Sequence, residues 1–178
     1  VPETLEQRYD RVSREQKRTL VVRADDFRCD ERGVYDHGGD MGVIAWRMAE
    51  RVFRELLPAV DEVRALVGAP GAGKTTWLEL CGVRGVLYLD TTLSRRLSRR
   101  QVCMAALAAD RVIDCVFIDT ELEVCLARNR KRSPSRRVPD DRVRDAHHRL
   151  VLCPPDVDEG WRRVLHVSGG PDLTWVLL

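Results

Sequence analysis

Apolar positions along the chain switch repeatedly between two rhythms, helical spacings of three or four and short unbroken runs. Residues 3–17 (ETLEQRYDRVSREQK) carry Leu5, Tyr9 and Val12 at helical spacing on a charged background, which predicts an amphipathic helix. The run TLVVRADDF predicts a strand ending in two aspartates, and Gly33, Gly38 and Gly39 mark the loop beyond it. Residues 41–57 return to helical spacing and stop at Pro58. EVRALVG is a second strand, leading through a glycine-rich turn into the helix TTWLELCG. GVLYLD is a third strand, followed by an arginine-rich helix at 94–109. VIDCVFID is a fourth, followed by the helix ELEVCLARNRKR. Pro134 and Pro139 make 133–139 a loop; a helix near 140–150, a CPPD break and the strand RVLHV complete the pattern. The tail 169–178 (GGPDLTWVLL) carries no pattern that assigns it. Five strands alternating with helices predict an α/β fold with a doubly wound parallel sheet, in one domain spanning 1–178.

Composition narrows the class without naming a function. The chain has 178 residues, 44% hydrophobic and 33% charged, which excludes a disordered or collagen-like polymer. No window approaches the roughly 18 apolar residues of a membrane span, and no leader pattern opens the chain, so a cytoplasmic protein is expected. Of six cysteines none forms a CxxC pair, and those in VCMAAL, DCVFID and EVCLA read as buried thiols. The four histidines show no zinc-ligand spacing. Thirty basic side chains against 28 acidic ones leave a net charge of +2, which does not call for a nucleic-acid partner. Its distribution does more. Three of the thirty are lysine (Lys17, Lys74, Lys131) and 27 are arginine, eight of them between 128 and 149.

The segment Gly68-Ala-Pro-Gly71-Ala72-Gly73-Lys74-Thr75-Thr76 satisfies GxxxxGK(S/T) between an apolar strand and a helix. In such a turn backbone N–H groups and a helix N-terminus face phosphate oxygens. Lys74 is expected on the β/γ-phosphates, and the Thr75 hydroxyl on Mg²⁺. A purine nucleotide, ATP or another NTP, is the expected ligand.

Switches, motors and kinases share that turn, so other residues must decide between them. Asp25 and Asp26 close the first strand, where open α/β sheets present ligands. Asp25 is a candidate base for an acceptor hydroxyl and Arg28 a candidate for an acceptor phosphate, though two aspartates can equally open a turn or cap a helix. Asp90, closing the third strand in LDTTLS, is a candidate for holding the acceptor or water around Mg²⁺, with Thr91 or Ser94 capping the next helix. Arg128 and Arg132, four apart, would share a helix face and neutralise a migrating phosphoryl group, as part of a lid at about 128–145. A solvated basic face is the alternative reading of these arginines.

Together GAPGAGKTTW, RADDFR, LDTTLS and ARNRKR…RRVPDDRVR resemble the P-loop kinase domain of the 5′-hydroxyl polynucleotide kinases, the phage and bacterial end-repair kinases, over most of 19–150. The resemblance implies a P-loop NTPase fold and phosphoryl transfer from ATP to the 5′-hydroxyl end of DNA or RNA. It implies Asp25 as general base, Arg28 on the acceptor's phosphate, Arg128 and Arg132 on the ATP phosphates, and Lys74 and Thr75 in the usual loop roles. Two departures stand out. Thr92 replaces a frequent asparagine, and the DDxxR strand precedes the phosphate loop where the family has it afterwards. With right-handed crossovers the family sheet survives that reordering as spatial order 1-3-2-4-5 in this chain's numbering. The site then requires Asp25 to lie near Lys74. A small-molecule kinase (nucleoside, antibiotic or aminoacyl-tRNA acceptor) and a non-catalytic nucleotide switch are the alternatives.

Overall fold

A computed structural model of the chain describes residues 3–36, 38–170 and 175–177. Helix α1 (Leu5–Thr19) starts on a capping box, the Gln7 amide N–H donating to the Thr4 hydroxyl while the Gln7 side chain accepts from the Thr4 N–H. Then follow β1 (Val21–Arg23), α2 (Met41–Leu56), β2 (Glu62–Val67), α3 (Lys74–Cys81), β3 (Val86–Asp90) and α4 (Arg96–Ala108). The second half runs β4 (Ile113–Asp119), α5 (Leu122–Arg130), α6 (Asp140–Leu152), β5 (Val164–Gly169) and β6 (Trp175–Leu177). No helix among the described residues is long and apolar enough to cross a membrane.

The five expected strands are all parallel and lie in the expected order, β1-β3-β2-β4-β5. A sixth is added where the sequence offered no assignment: the backbone of β6 pairs antiparallel with β5. Central strands are buried along nearly their whole length, which is why β3 and β4 read as largely apolar runs, with Asp114 of β4 buried against Arg162 and Arg163. Cys103, Cys115 and Cys125 are buried thiols within this core, as their apolar contexts predict.

Three boundaries differ from the sequence expectation. The first strand stops at Arg23, opposite Asp90, because β3, its one neighbour among the described residues, ends there. Residues Ala24–Arg28 then curl into a 3₁₀ helix that carries both aspartates. Helix α5 stops at Arg130, so Arg132 lies in the following turn and does not share a helix face with Arg128. Pro134 explains the stop, since its ring would meet the carbonyl of residue 130 in a continued helix. Helix α4 starts at Arg96 without a side-chain cap, so neither Thr91 nor Ser94 plays that part.

One buried charge pair ties the layers together. Arg99 of α4, fully buried, meets Glu159 at 2.5 Å and also donates to the carbonyl oxygens of Leu93 and Cys153. The indole N–H of Trp161 donates to the same glutamate. The loop after β3 is thereby fixed to the end of α6.

Candidate active site

The C-terminal ends of β1, β3 and β2 are level, with Asp90 opposite both Arg23 and Leu66. The 68–73 turn leaves β2 here and is shaped by close approach. Gly71, at φ +86°, sits where a Cβ would collide with the Cys125 carbonyl of α5, and Gly73, at φ +103°, precedes α3 in the left-handed region. Ala72 turns its carbonyl outward, where it accepts from the Thr120 hydroxyl (3.0 Å) and from Arg128 (3.1 Å). Gly68 donates its N–H to the Thr92 carbonyl at 3.3 Å, which joins the turn to the loop after β3.

Lys74 and Thr75 open α3, with Thr76 next in its first turn. The Lys74 ammonium donates to the Gly68 and Ala69 carbonyls, at 2.7 and 3.1 Å. It has no carboxylate within ion-pair distance among the described residues. Loss of water around it pushes its pKa below the ordinary lysine value, opposed by the charges of Asp90 and Asp25 and reinforced by that of Arg132. Asp25, remote in sequence, lies two residues past the end of β1, whose neighbour β3 is also the neighbour of β2, the strand that leads into the turn. The Thr75 hydroxyl donates to Asp90 Oδ2 at 3.1 Å, and Arg23 Nε donates to the same oxygen at 3.0 Å. A hydroxyl beside a carboxylate at the mouth of a glycine turn is a hard-oxygen set. It suits an ion that keeps most of its waters and shares phosphate oxygens, as Mg²⁺ does.

The two aspartates differ in environment. Asp26 turns inward to accept from the amide of the buried Gln16 at 3.2 Å, and burial pushes its carboxyl above the ordinary range. Asp25 is exposed and accepts from the Tyr35 hydroxyl at 3.0 Å. Tyr35 is brought there by a single antiparallel bridge to Cys29. Arg28 lies over its ring, 4.9 Å from the centroid, and donates to the Asp36 carbonyl at 3.3 Å. Burial first, then the Asp25 charge, pushes the Tyr35 phenol well above its ordinary pKa, so it stays a donor.

No protein-family model matches this chain, and neither does any curated protein. The site therefore stands on its geometry. Of the residues singled out from sequence, Lys74, Thr75 and Asp90 meet at the ends of β2 and β3, and Asp25 lies two residues beyond Arg23, which bonds the same Asp90 oxygen as Thr75. Arg28 is instead engaged with the 29–36 loop, and Arg128 with backbone carbonyls of Ala72 and Gly170. Beyond α5, Asn129 is fully buried and exchanges hydrogen bonds with the Val138 backbone, at 2.6 and 3.1 Å, closing 129–138 into a compact loop. Lys131, Arg132, Arg136 and Arg142 are exposed and pair with no carboxylate among the described residues, whereas Arg130 and Arg149 do. Sequence reading missed Tyr35, Arg23 and Thr120. A lone tyrosine between two glycines has no periodicity, and the other two are visible only through strand register.

Proposed function

We propose that this chain is a nucleoside-triphosphate-dependent kinase of the P-loop class that phosphorylates 5′-hydroxyl ends of DNA or RNA. The observation that carries the reading is the bridge through Asp90, whose Oδ2 accepts both from Arg23, two residues before Asp25 on the edge strand, and from Thr75 of the glycine turn. A switch protein has no need of an exposed carboxylate there, whereas phosphoryl transfer to a hydroxyl does. In this reading the turn 68–73 cradles the phosphates of ATP or another NTP, and Lys74 leaves its loop carbonyls for them. Thr75 and Asp90 hold Mg²⁺, which supplies positive charge against the phosphate oxygens. Asp25 orients the 5′-hydroxyl and takes its proton onto the carboxylate. Arg132, paired with no carboxylate among the described residues, neutralises charge as the phosphoryl group moves, with Arg128 bracing the turn at Ala72. The exposed cations at 131, 132, 136 and 142 form the rim that favours a polyanionic acceptor, while Arg28 reaches the acceptor's nearest phosphate by leaving Tyr35.

Transfer of labelled γ-phosphate, offered side by side to a 5′-hydroxyl oligonucleotide, a nucleoside and a panel of small hydroxyl compounds, tests the reading. The oligonucleotide is expected to be labelled best. Its KM should rise steeply between 50 and 200 mM salt, on the order of tenfold or more, as arginine–phosphate contacts release counterions. Equal, salt-independent labelling of a small molecule would make this a small-molecule kinase. Hydrolysis without any labelled acceptor would make it a switch.

Tyr35→Phe removes the hydroxyl that donates to Asp25 and that also takes a hydrogen bond from Arg28. It is expected to lower kcat roughly tenfold, the worth of one hydrogen bond to a charged group, while nucleotide KM holds. Steady-state kinetics with the oligonucleotide acceptor checks this.

A further inference from the structure

A second concavity opens on the other flank of the glycine turn, at the C-terminal ends of β4 and β5 and under α6. It encloses about 220 Å³. Ala69 of the turn forms one wall; Phe117, Leu150 and Pro154 supply apolar surface. The polar groups are Asp119, His166 and His147, and no lysine or arginine lines it among the described residues.

Those polar groups have one property in common. His166 Nε2 lies 3.1 Å from Asp119 Oδ2, and His147 Nε2 lies 3.2 Å from the Thr120 carbonyl oxygen. Both partners only accept, so both Nε2 atoms carry a proton. Asp119 Oδ1 has no partner among the described residues, and the carboxylate side chain is half exposed. His166 is held flat against Phe117, ring centroids 4.9 Å apart, so the carboxylate's direction is set. The cleft therefore offers aromatic and aliphatic surface beside a carboxylate oxygen unpartnered among the described residues, in a volume that suits one bicyclic heterocycle.

We infer that this cleft takes the base of the nucleotide whose phosphates lie on the 68–73 turn, and that Asp119 selects guanine. This rests on the kinase reading above and narrows its phosphoryl donor to GTP. Ala69 and Thr120 connect the two places: Ala69 belongs to the turn and lines the cleft, and Thr120 lines the cleft and donates to Ala72 of the turn. Guanine presents N1–H and the N2 amino group side by side, two donors that match the two oxygens of one carboxylate. Adenine presents one donor beside one acceptor on its Watson–Crick and Hoogsteen edges, so its ring nitrogen would face a carboxylate oxygen without a proton between them. A carboxylate that accepts a donor pair rejects the base lacking it by roughly tenfold or more.

Binding of GTP and ATP, each carrying the same ribose-attached fluorophore, to the full chain with Mg²⁺ tests this apart from any transfer. GTP is expected to bind at least about tenfold more tightly than ATP. Asp119→Ala should abolish that preference by weakening GTP alone. Asp119→Asn, whose amide can pair bidentately with adenine, should invert it. A merely structural aspartate would lower both affinities together. Equal affinities in the parent chain, or an unchanged ratio in both variants, would overturn the inference while leaving the kinase reading intact. Failure of both nucleotides to bind would overturn both.

Discussion

Asp25→Ala is expected to reduce phosphoryl transfer by roughly 10²–10⁴-fold, the usual contribution of a positioned general base, while nucleotide affinity stays within about twofold of the parent. The asymmetry follows from where the residue sits. Asp25 is exposed on a 3₁₀ helix at the sheet edge and touches Tyr35 rather than any atom of the glycine turn, so its loss leaves the nucleotide cradle intact. Its charge does reach Lys74, but there it is outranked by burial and by Asp90. Lys74→Ala should behave differently, weakening nucleotide binding and transfer together, because it removes the cation that the turn holds on two carbonyls. Titration with a fluorescent nucleotide beside single-turnover transfer separates the two patterns. Near-normal turnover in Asp25→Ala would remove the residue from the role of base, and Asp26 is a poor substitute because Gln16 holds it inward.

Arg99→Ala is expected to be the most destabilising single change in the chain, costing about 3–5 kcal/mol. The guanidinium and the Glu159 carboxylate are both removed from water, at 0% and 1% side-chain exposure. Truncation leaves that carboxylate buried with only the Trp161 N–H and the edge of Arg96, 3.9 Å away, as compensation. It also orphans the carbonyls of Leu93 and Cys153 and opens a cavity under α4. Denaturant unfolding of the variant should show the midpoint move without a change in slope. Arg99→Ala with Glu159→Ala should recover part of the loss, since the uncompensated charge goes with its partner. No recovery would mean that packing rather than the charge carries the cost.

Strand order and parallel pairing were legible because β2, β3 and β4 are predominantly apolar and the handedness of crossovers leaves few ways to connect them. The glycine turn was legible because its chemistry is contiguous in sequence. What contiguity could not show was anything made by register or by a loop folding back. Arg23 faces Asp90 only because β1 pairs with β3 in one register, and Tyr35 meets Asp25 only through the Cys29 bridge. The pairing of Arg128 with Arg132 failed for a local reason: helical spacing was carried past the point where Pro134 forbids the helix. β6 was missed because three residues cannot display a period.

The sheet edge has a thermodynamic consequence. β1 contributes three residues to the ladder and has one neighbour, while β2 and β4 are each flanked on both sides. Opening β1 with α1 breaks few pairs and leaves the central strands intact, so its free energy lies below that of global unfolding. Asp25 rides on this peripheral unit and Lys74 on the central one. The two halves of the site thus have separate lifetimes. A bound acceptor, by holding the edge closed, would add its binding free energy to the weaker half.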